Sequence, residues 1–218
     1  NEGADELIFL DISATQEKRR TLVKLVQRIA EVITIPFTVG GGIKSVDEIE
    51  TLLKAGAEKV SLNSSIIQRP ELITEASQAF GAQAIVAAID MKRVERWTEE
   101  NPKWVVYTHG GIKRTDINAL EWAKDTESLG AGELLVTSMD RDGTKSGFDC
   151  KLLSVIHQCT NIPLIASGGA GTISHCIDAI KKGKADAVLA ASIFHFREIE
   201  ISELKLQMHK AGIPCRII

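Results

Sequence analysis

No C-x-x-C pair, no cationic leader and no apolar run near the roughly 18 residues of a membrane span occur in this sequence of 218 residues. The four cysteines, Cys150, Cys159, Cys176 and Cys215, therefore read as reduced thiols of a cytoplasmic protein, and nothing directs the chain to export or to a membrane. A basic excess is also lacking. Lys and Arg total 26 against 29 Asp and Glu, a formal net charge of -3, which argues against a nucleic-acid partner and for a small molecule or a protein. None of the five His, at 109, 157, 175, 195 and 209, stands in H-E-x-x-H or beside a second ligand at helical spacing. The stretch Asp140 to Gly143 opens like a calcium loop but has no glutamate at the required distance. No metal and no cofactor are expected.

What is present is 44% hydrophobic and 25% charged residues, enough to bury one core, so residues 1–218 are expected to form a single domain. Short aliphatic runs alternate with longer stretches of helical periodicity, the pattern of repeated βα units around a parallel sheet. Seven runs are nearly continuously apolar, as strands covered on both faces should be: Leu7–Leu10, Pro36–Val39, Lys59–Leu62, Ile85–Ile89, Leu134–Thr137, Pro163–Ala166 and Ala187–Leu189. The clearest helix carries Leu22, Leu25, Val26, Ile29 and Val32 or Ile33 at i, i+3, i+4, i+7 spacing. Weaker stripes begin at Val46, Leu72, Leu120 and Ile173, and the stretch from Glu95 to Asp116 reads as the single long loop.

An internal repeat sharpens the architecture. Pro36 aligns with Pro163, Gly41 with Gly168, Gly42 with Gly169, Gly56 with Gly183, Leu62 with Leu189 and Ser65 with Ser192, always at an offset of 127. The same offset lays Glu6-Leu7 on Glu133-Leu134. A unit of about four βα pairs used twice makes an eight-stranded parallel barrel, a (βα)8 TIM barrel of two half-barrels, about 1–80 and 81–218. Because only seven runs are found, roughly one βα unit of about 40 residues, the first strand and helix, is expected to be absent from this chain.

In such a barrel the functional groups stand at the C-terminal ends of the strands. Two of those ends, VGGGI and ASGGAG, are glycine-rich and followed by a helix, which lets backbone N–H groups approach an anion. Each is followed one unit later by a small polar end, Asn63-Ser64-Ser65 or Ala191-Ser192. Two anion sites on opposite sides of one mouth would suit a substrate with a phosphate at each end. A glycine cluster alone is equally a tight turn, and the Ser and Asn residues equally cap helices. Asp90 closes the run IVAAI at the rim of an apolar interior, where desolvation raises a carboxyl pKa and suits it to general acid/base work. Its alternative is a salt bridge to Lys92 or Arg93. Asp11 ends its own strand in the same way, and Thr137 and Ser138 at another strand end are expected to support the site.

The segments FLDIS, PFTVGGGI, KVSLNSS, VAAIDMKR, ELLVTSMDRDGTKSGFD, PLIASGGAG and LAASIFHFREI together resemble the cyclase subunit of imidazole glycerol phosphate synthases, of histidine biosynthesis. The sister isomerase of the preceding step is less similar at TSMDRDGTKSG and FHFRE. The resemblance implies a lyase that takes a bisphosphorylated ribulosyl intermediate and ammonia to imidazole glycerol phosphate and an aminoimidazole carboxamide ribotide. It implies that Asp90 is one of two catalytic aspartates. Gly42, Asn63 and Ser64 would hold one phosphate, and Asp142, Gly143, Gly168, Gly169, Ala191 and Ser192 the other. It further implies a glutaminase subunit docked at the N-terminal face, with Glu6, Lys59 and Glu133 as a charged gate for its ammonia, where an ordinary salt-bridged cluster is the alternative.

The family's other catalytic aspartate and a mobile-loop lysine belong to the unit not found here. A chain without them would lose one member of a general acid/base pair, an effect of about 10² to 10⁴ in rate. The first reading is an enzyme, the 218 residues being a fragment or processed form of an active cyclase subunit; the second is a non-enzymatic scaffold, regulator or ammonia conduit for the glutaminase. A barrel diverted to another ammonia acceptor is the third reading.

Overall fold

The computed structural model describes residues 2–10, 16–94, 98 and 103–217. Seven strands run parallel, each bonded to the next, in the order β1 (Leu7–Leu10), β2 (Phe37–Gly40), β3 (Lys59–Leu62), β4 (Ile85–Arg93), β7 (Glu133–Ser138), β8 (Leu164–Ser167) and β9 (Ala187–Val188). They coincide with the seven apolar runs to within a residue or two, except that β4 continues four residues past Ile89. Helices fill the connections: α1 (Gln16–Ala30), α2 (Val46–Lys54), the short α3 (Ser64–Gln68) with α4 (Glu71–Phe80), α5 (Ala119–Ser128), α6 (Cys150–Cys159), α7 (Ile173–Lys181), the short α8 (Ser192–His195) and α9 (Ile201–Lys210). On α1, Leu22 and Val26 are buried while Leu25 is exposed; beyond its end Val32 is exposed and Ile33 half-buried, so Ile33 continues the stripe. On α7 the buried side chains are Cys176 and Ala179, with the isoleucines of the expected stripe packed at their flanks.

Because successive side chains in a strand point to opposite faces, the apolar residues sort into two cores. The larger lies between sheet and helices and includes Val39, Val60, Ile85, Ala87, Ile89, Leu134, Val136 and Ala166. The smaller consists of Val86, Leu135 and Ile165, with Ile8, Ala88 and Leu189 packed against it. Ile8 belongs to the first strand of the path and Leu189 follows the last. In a flat sheet, at about 4.8 Å per strand, they would lie nearly 30 Å apart. Their meeting at one cluster means that the wall curls, with the smaller core inside it. Among the described residues β1 and β9 are edge strands, and Leu7 and Leu10 of β1 are exposed.

The long loop expected after Asp90 is corrected: it contains a β-hairpin. β5 (Trp104–Thr108) pairs antiparallel with the extension of β4, Asp90 opposite Tyr107 and Arg93 opposite Trp104, and with β6 (Lys113–Asn118). Trp104, Val106 and Thr108 are buried, while Tyr107 on the other face lies under the Lys92 ammonium, 5.8 Å from its ring centre. The turn uses three consecutive left-handed residues, His109, Gly110 and Gly111. The four cysteines are free, and burial pushes the Cys176 thiol up to about 11, which keeps it protonated. No helix among the described residues is long and apolar enough to cross a membrane.

Candidate active site

Since the seven strands are parallel, their C-terminal ends share one rim. Register places Asp90 of β4 beside Thr137 of β7, and Thr137 beside Ser167 of β8. Asp90 has the same strand parity as Val86 and Ala88, so its carboxylate belongs to the interior face. It is half-buried and accepts a hydrogen bond from Asn63 Nδ2 at 3.0 Å. Burial raises its pKa above the ordinary carboxyl value; the Asn63 bond opposes that, and the charge of Asp142 adds to it.

The salt-bridge alternative fails, because the neighbouring cations are engaged elsewhere. Lys92 covers Tyr107, and the Arg93 guanidinium binds the buried Asp149 at 2.9 and 3.1 Å. Arg93 also donates its backbone N–H to Asp140 at 2.8 Å. One residue thus anchors both ends of the loop that carries Asp142 and Gly143. Asp11 lies outside the described residues.

The helices next to the glycine turns are capped by side chains. Ser45 accepts from Glu48 N at the start of α2, and the Glu48 carboxylate accepts from the N–H of Lys44, the residue before that cap. Thr172 does the same for His175 N on α7. By contrast α3 and α8, which begin at Ser64 and Ser192, have no side-chain cap; their N-cap residues are Asn63 and Ala191. The capping alternative for Asn63 therefore does not hold. Its Nδ2 is spent on Asp90, and its Oδ1 is buried without a hydrogen-bond partner among the described residues, as is Ser138 Oγ. Ser64 Oγ accepts from the backbone N–H of His109 at 2.9 Å, so the hairpin tip rests on the start of α3. Sequence reading missed that contact.

Gly168 and Gly169 have a packing role as well. A Cβ on Gly168 would stand 2.7 Å from the Ser138 carbonyl oxygen and one on Gly169 2.3 Å from that of Gly147. Both have left-handed backbones, at φ +87° and +107°. The Gly147 N–H donates to the Gly169 carbonyl at 2.8 Å, which binds the loop after β7 to the turn after β8. Asp142 and Gly143 are thereby held at the same side of the rim as Gly168, Gly169, Ala191 and Ser192. Gly42, at φ +63°, sits at the end of β2 on the other side, near Asn63 and Ser64. No three His, Cys, Asp or Glu side chains among the described residues cluster as a metal site requires.

At the opposite end of the strands Lys59 joins Glu133 at 2.6 Å and Glu6 at 3.0 Å. Burial pulls the Lys59 ammonium down, but the hydrogen bonds and charges of Glu133 and Glu6 outweigh it, and its pKa lies above the ordinary value. Glu133 Oε2 is buried with no hydrogen-bond partner among the described residues. The three residues foreseen at this face are therefore one cluster beneath the interior core.

A family model described as "Histidine biosynthesis protein" matches residues 1–200. The chain is 53% identical to "Imidazole glycerol phosphate synthase subunit HisF" of Flavobacterium johnsoniae over 216 residues, which is 99% of this chain and 84% of that protein. Over the same shares it is 54% identical to the HisF of Flavobacterium psychrophilum and 51% to that of Bacillus licheniformis.

Proposed function

Because the chain belongs to the histidine biosynthesis protein family, we propose that it is the cyclase subunit of an imidazole glycerol phosphate synthase, a cytoplasmic lyase. Its seven-stranded wall is then most of a (βα)8 barrel that an eighth strand between β9 and β1 would close. The observation that carries the reading is Asp90: a half-buried carboxyl of raised pKa, bonded to Asn63, on a rim with an uncapped helix start on either side.

The substrate is a ribulosyl intermediate with a phosphate at each end. One phosphate is held by Gly42, Asn63 and Ser64, the other by Asp142, Gly143, Gly168, Gly169, Ala191 and Ser192. Free N–H groups at α3 and α8 favour an anion there. Asp90 exchanges protons with the substrate as ammonia condenses and the ring closes, and Thr137, beside it in register, orients the reacting end. Ammonia comes from a glutaminase subunit at the N-terminal face. It passes the Glu6–Lys59–Glu133 cluster and then the apolar interior of Val86, Leu135 and Ile165, which a neutral molecule crosses readily.

A cyclase assay with ammonium salt as nitrogen donor tests the phosphate assignment. Ser192→Asp places a negative charge where a phosphate would lie and is expected to raise KM about tenfold or more, with kcat changed far less. An unchanged KM would make the second glycine turn and α8 purely structural. Asn63→Ala reports on the acid/base group in the same assay. Loss of the bond that stabilises the Asp90 carboxylate leaves burial less opposed, so the pKa rises further. The acid limb of the kcat/KM profile should move to higher pH; a limb that stays in place would dissociate Asn63 from the titrating group.

A further inference from the structure

We propose that Lys145 and Glu198 are a positioning pair, a releasable latch that holds the tip of the loop after β7 in place over the end of β8. The proposal rests on the phosphate assignment above, since that loop carries Asp142 and Gly143. Lys145 Nζ lies 2.5 and 2.7 Å from the two carboxylate oxygens of Glu198, which follows α8. The contact therefore spans from one strand end, over the turn Gly168–Gly171, to the segment after the next strand. Beneath it the backbone is tightly stacked: a Cβ on Gly171 would stand 2.3 Å from the Lys145 carbonyl oxygen. Lys145 and Arg197, the residue before Glu198, both hold left-handed conformations, at φ +55° and +53°. Side chains other than glycine adopt that region seldom, so the local backbone on each side is shaped to the contact.

The two ends of the loop differ from its tip in strength. Asp140 and Asp149 are tied to Arg93, with Asp149 buried, and an ion pair there is costly to break. The Lys145 and Glu198 side chains are 47% and 38% exposed. An exposed pair contributes little and is screened by salt, so it opens readily. A loop with fixed ends and a weakly held tip can admit a substrate and then hold it. The tip also sets the place of Asp142, whose charge acts on Asp90.

The test is a charge swap in the natively expressed protein, with ammonium salt as nitrogen donor. Lys145→Glu and Glu198→Lys should each raise KM for the bisphosphorylated substrate about three- to tenfold and change kcat less than about twofold. The double variant, which restores the pair with signs exchanged, should return KM to within about twofold of the parent. A pair that serves stability alone would shift the melting temperature and leave KM unmoved. Unchanged KM in both single variants, or a double variant no better than the worse single one, overturns the latch. Ser192→Asp measured alongside separates the two levels: if it raises KM and the single swaps do not, only the latch fails. If it leaves KM unchanged, the phosphate assignment fails and the latch falls with it.

Discussion

Replacing Asp90 by Asn is expected to lower the ammonium-driven cyclisation rate by about 10² to 10⁴ while leaving KM within about threefold. The substitution keeps shape and removes the proton. Asn63 Nδ2 can donate to the new amide oxygen as it does to the carboxylate at 3.0 Å, so the rim should keep its geometry. Stability should move the other way. A carboxyl whose folded pKa is raised binds its proton more tightly in the folded state, so folding is favoured most below the unfolded value and is weakened as pH rises through the folded one. The penalty grows as pH rises from the unfolded value through the folded one, and Asn removes it. Asp90→Asn should therefore melt no lower than the parent at neutral pH, with the advantage fading as pH falls through the folded value and gone below the unfolded one of about 4. A variant with parental activity would remove Asp90 from the chemistry. One that is inactive and clearly less stable would make its role structural.

The parallel wall was legible because strands covered on both faces have to be apolar throughout, and no other use of seven short runs was open to a chain with this repeat. The offset of 127 carried the rest: it paired the glycine turns and placed Glu6 and Glu133 at equivalent strand starts, where the structure joins both to Lys59. The hairpin was missed for a physical reason. β6 reads Lys-Arg-Thr-Asp-Ile-Asn, and the face it turns inward offers only the half-buried Thr115 and Ile117, too little apolar character to announce a strand. The available signal was the Thr-His-Gly-Gly turn after Trp-Val-Val-Tyr, where consecutive left-handed residues permit a tight reversal. The contacts that organise the rim were not legible at all. Arg93 and Asp149 are 56 residues apart and Lys145 and Glu198 53, and a charge carries no periodicity that names its partner.

Asp149→Ala should cost about 4 kcal/mol of stability, from loss of a buried ion pair at the low end of its usual range together with a helix cap. The carboxylate serves both purposes at once. One oxygen accepts from the Arg93 guanidinium, and the other accepts from Leu152 N at 3.1 Å, where it caps α6. The low end applies because the Arg93 side chain is 28% exposed and can recover water when its partner is gone. For a chain of this length the loss corresponds to a fall of about 8 to 16 °C in melting temperature. Asp149→Asn, which keeps the cap and a neutral acceptor, should lose clearly less. Arg93→Met tests the coupling. In a double-mutant cycle the pair should lose less than the sum of the single variants, since each single variant already breaks the Arg93–Asp149 contact. Strict additivity would mean that Asp149 acts through the cap alone. The functional consequence is separable from the fold. With its far end released, the loop bearing Asp142 and Gly143 loses its buried anchor and keeps Asp140, the Gly147 contact and the Lys145–Glu198 pair among its remaining ties, so KM should rise at temperatures where the variant is still folded. If KM stays at the parental value there, Arg93 stabilises the barrel without placing the loop.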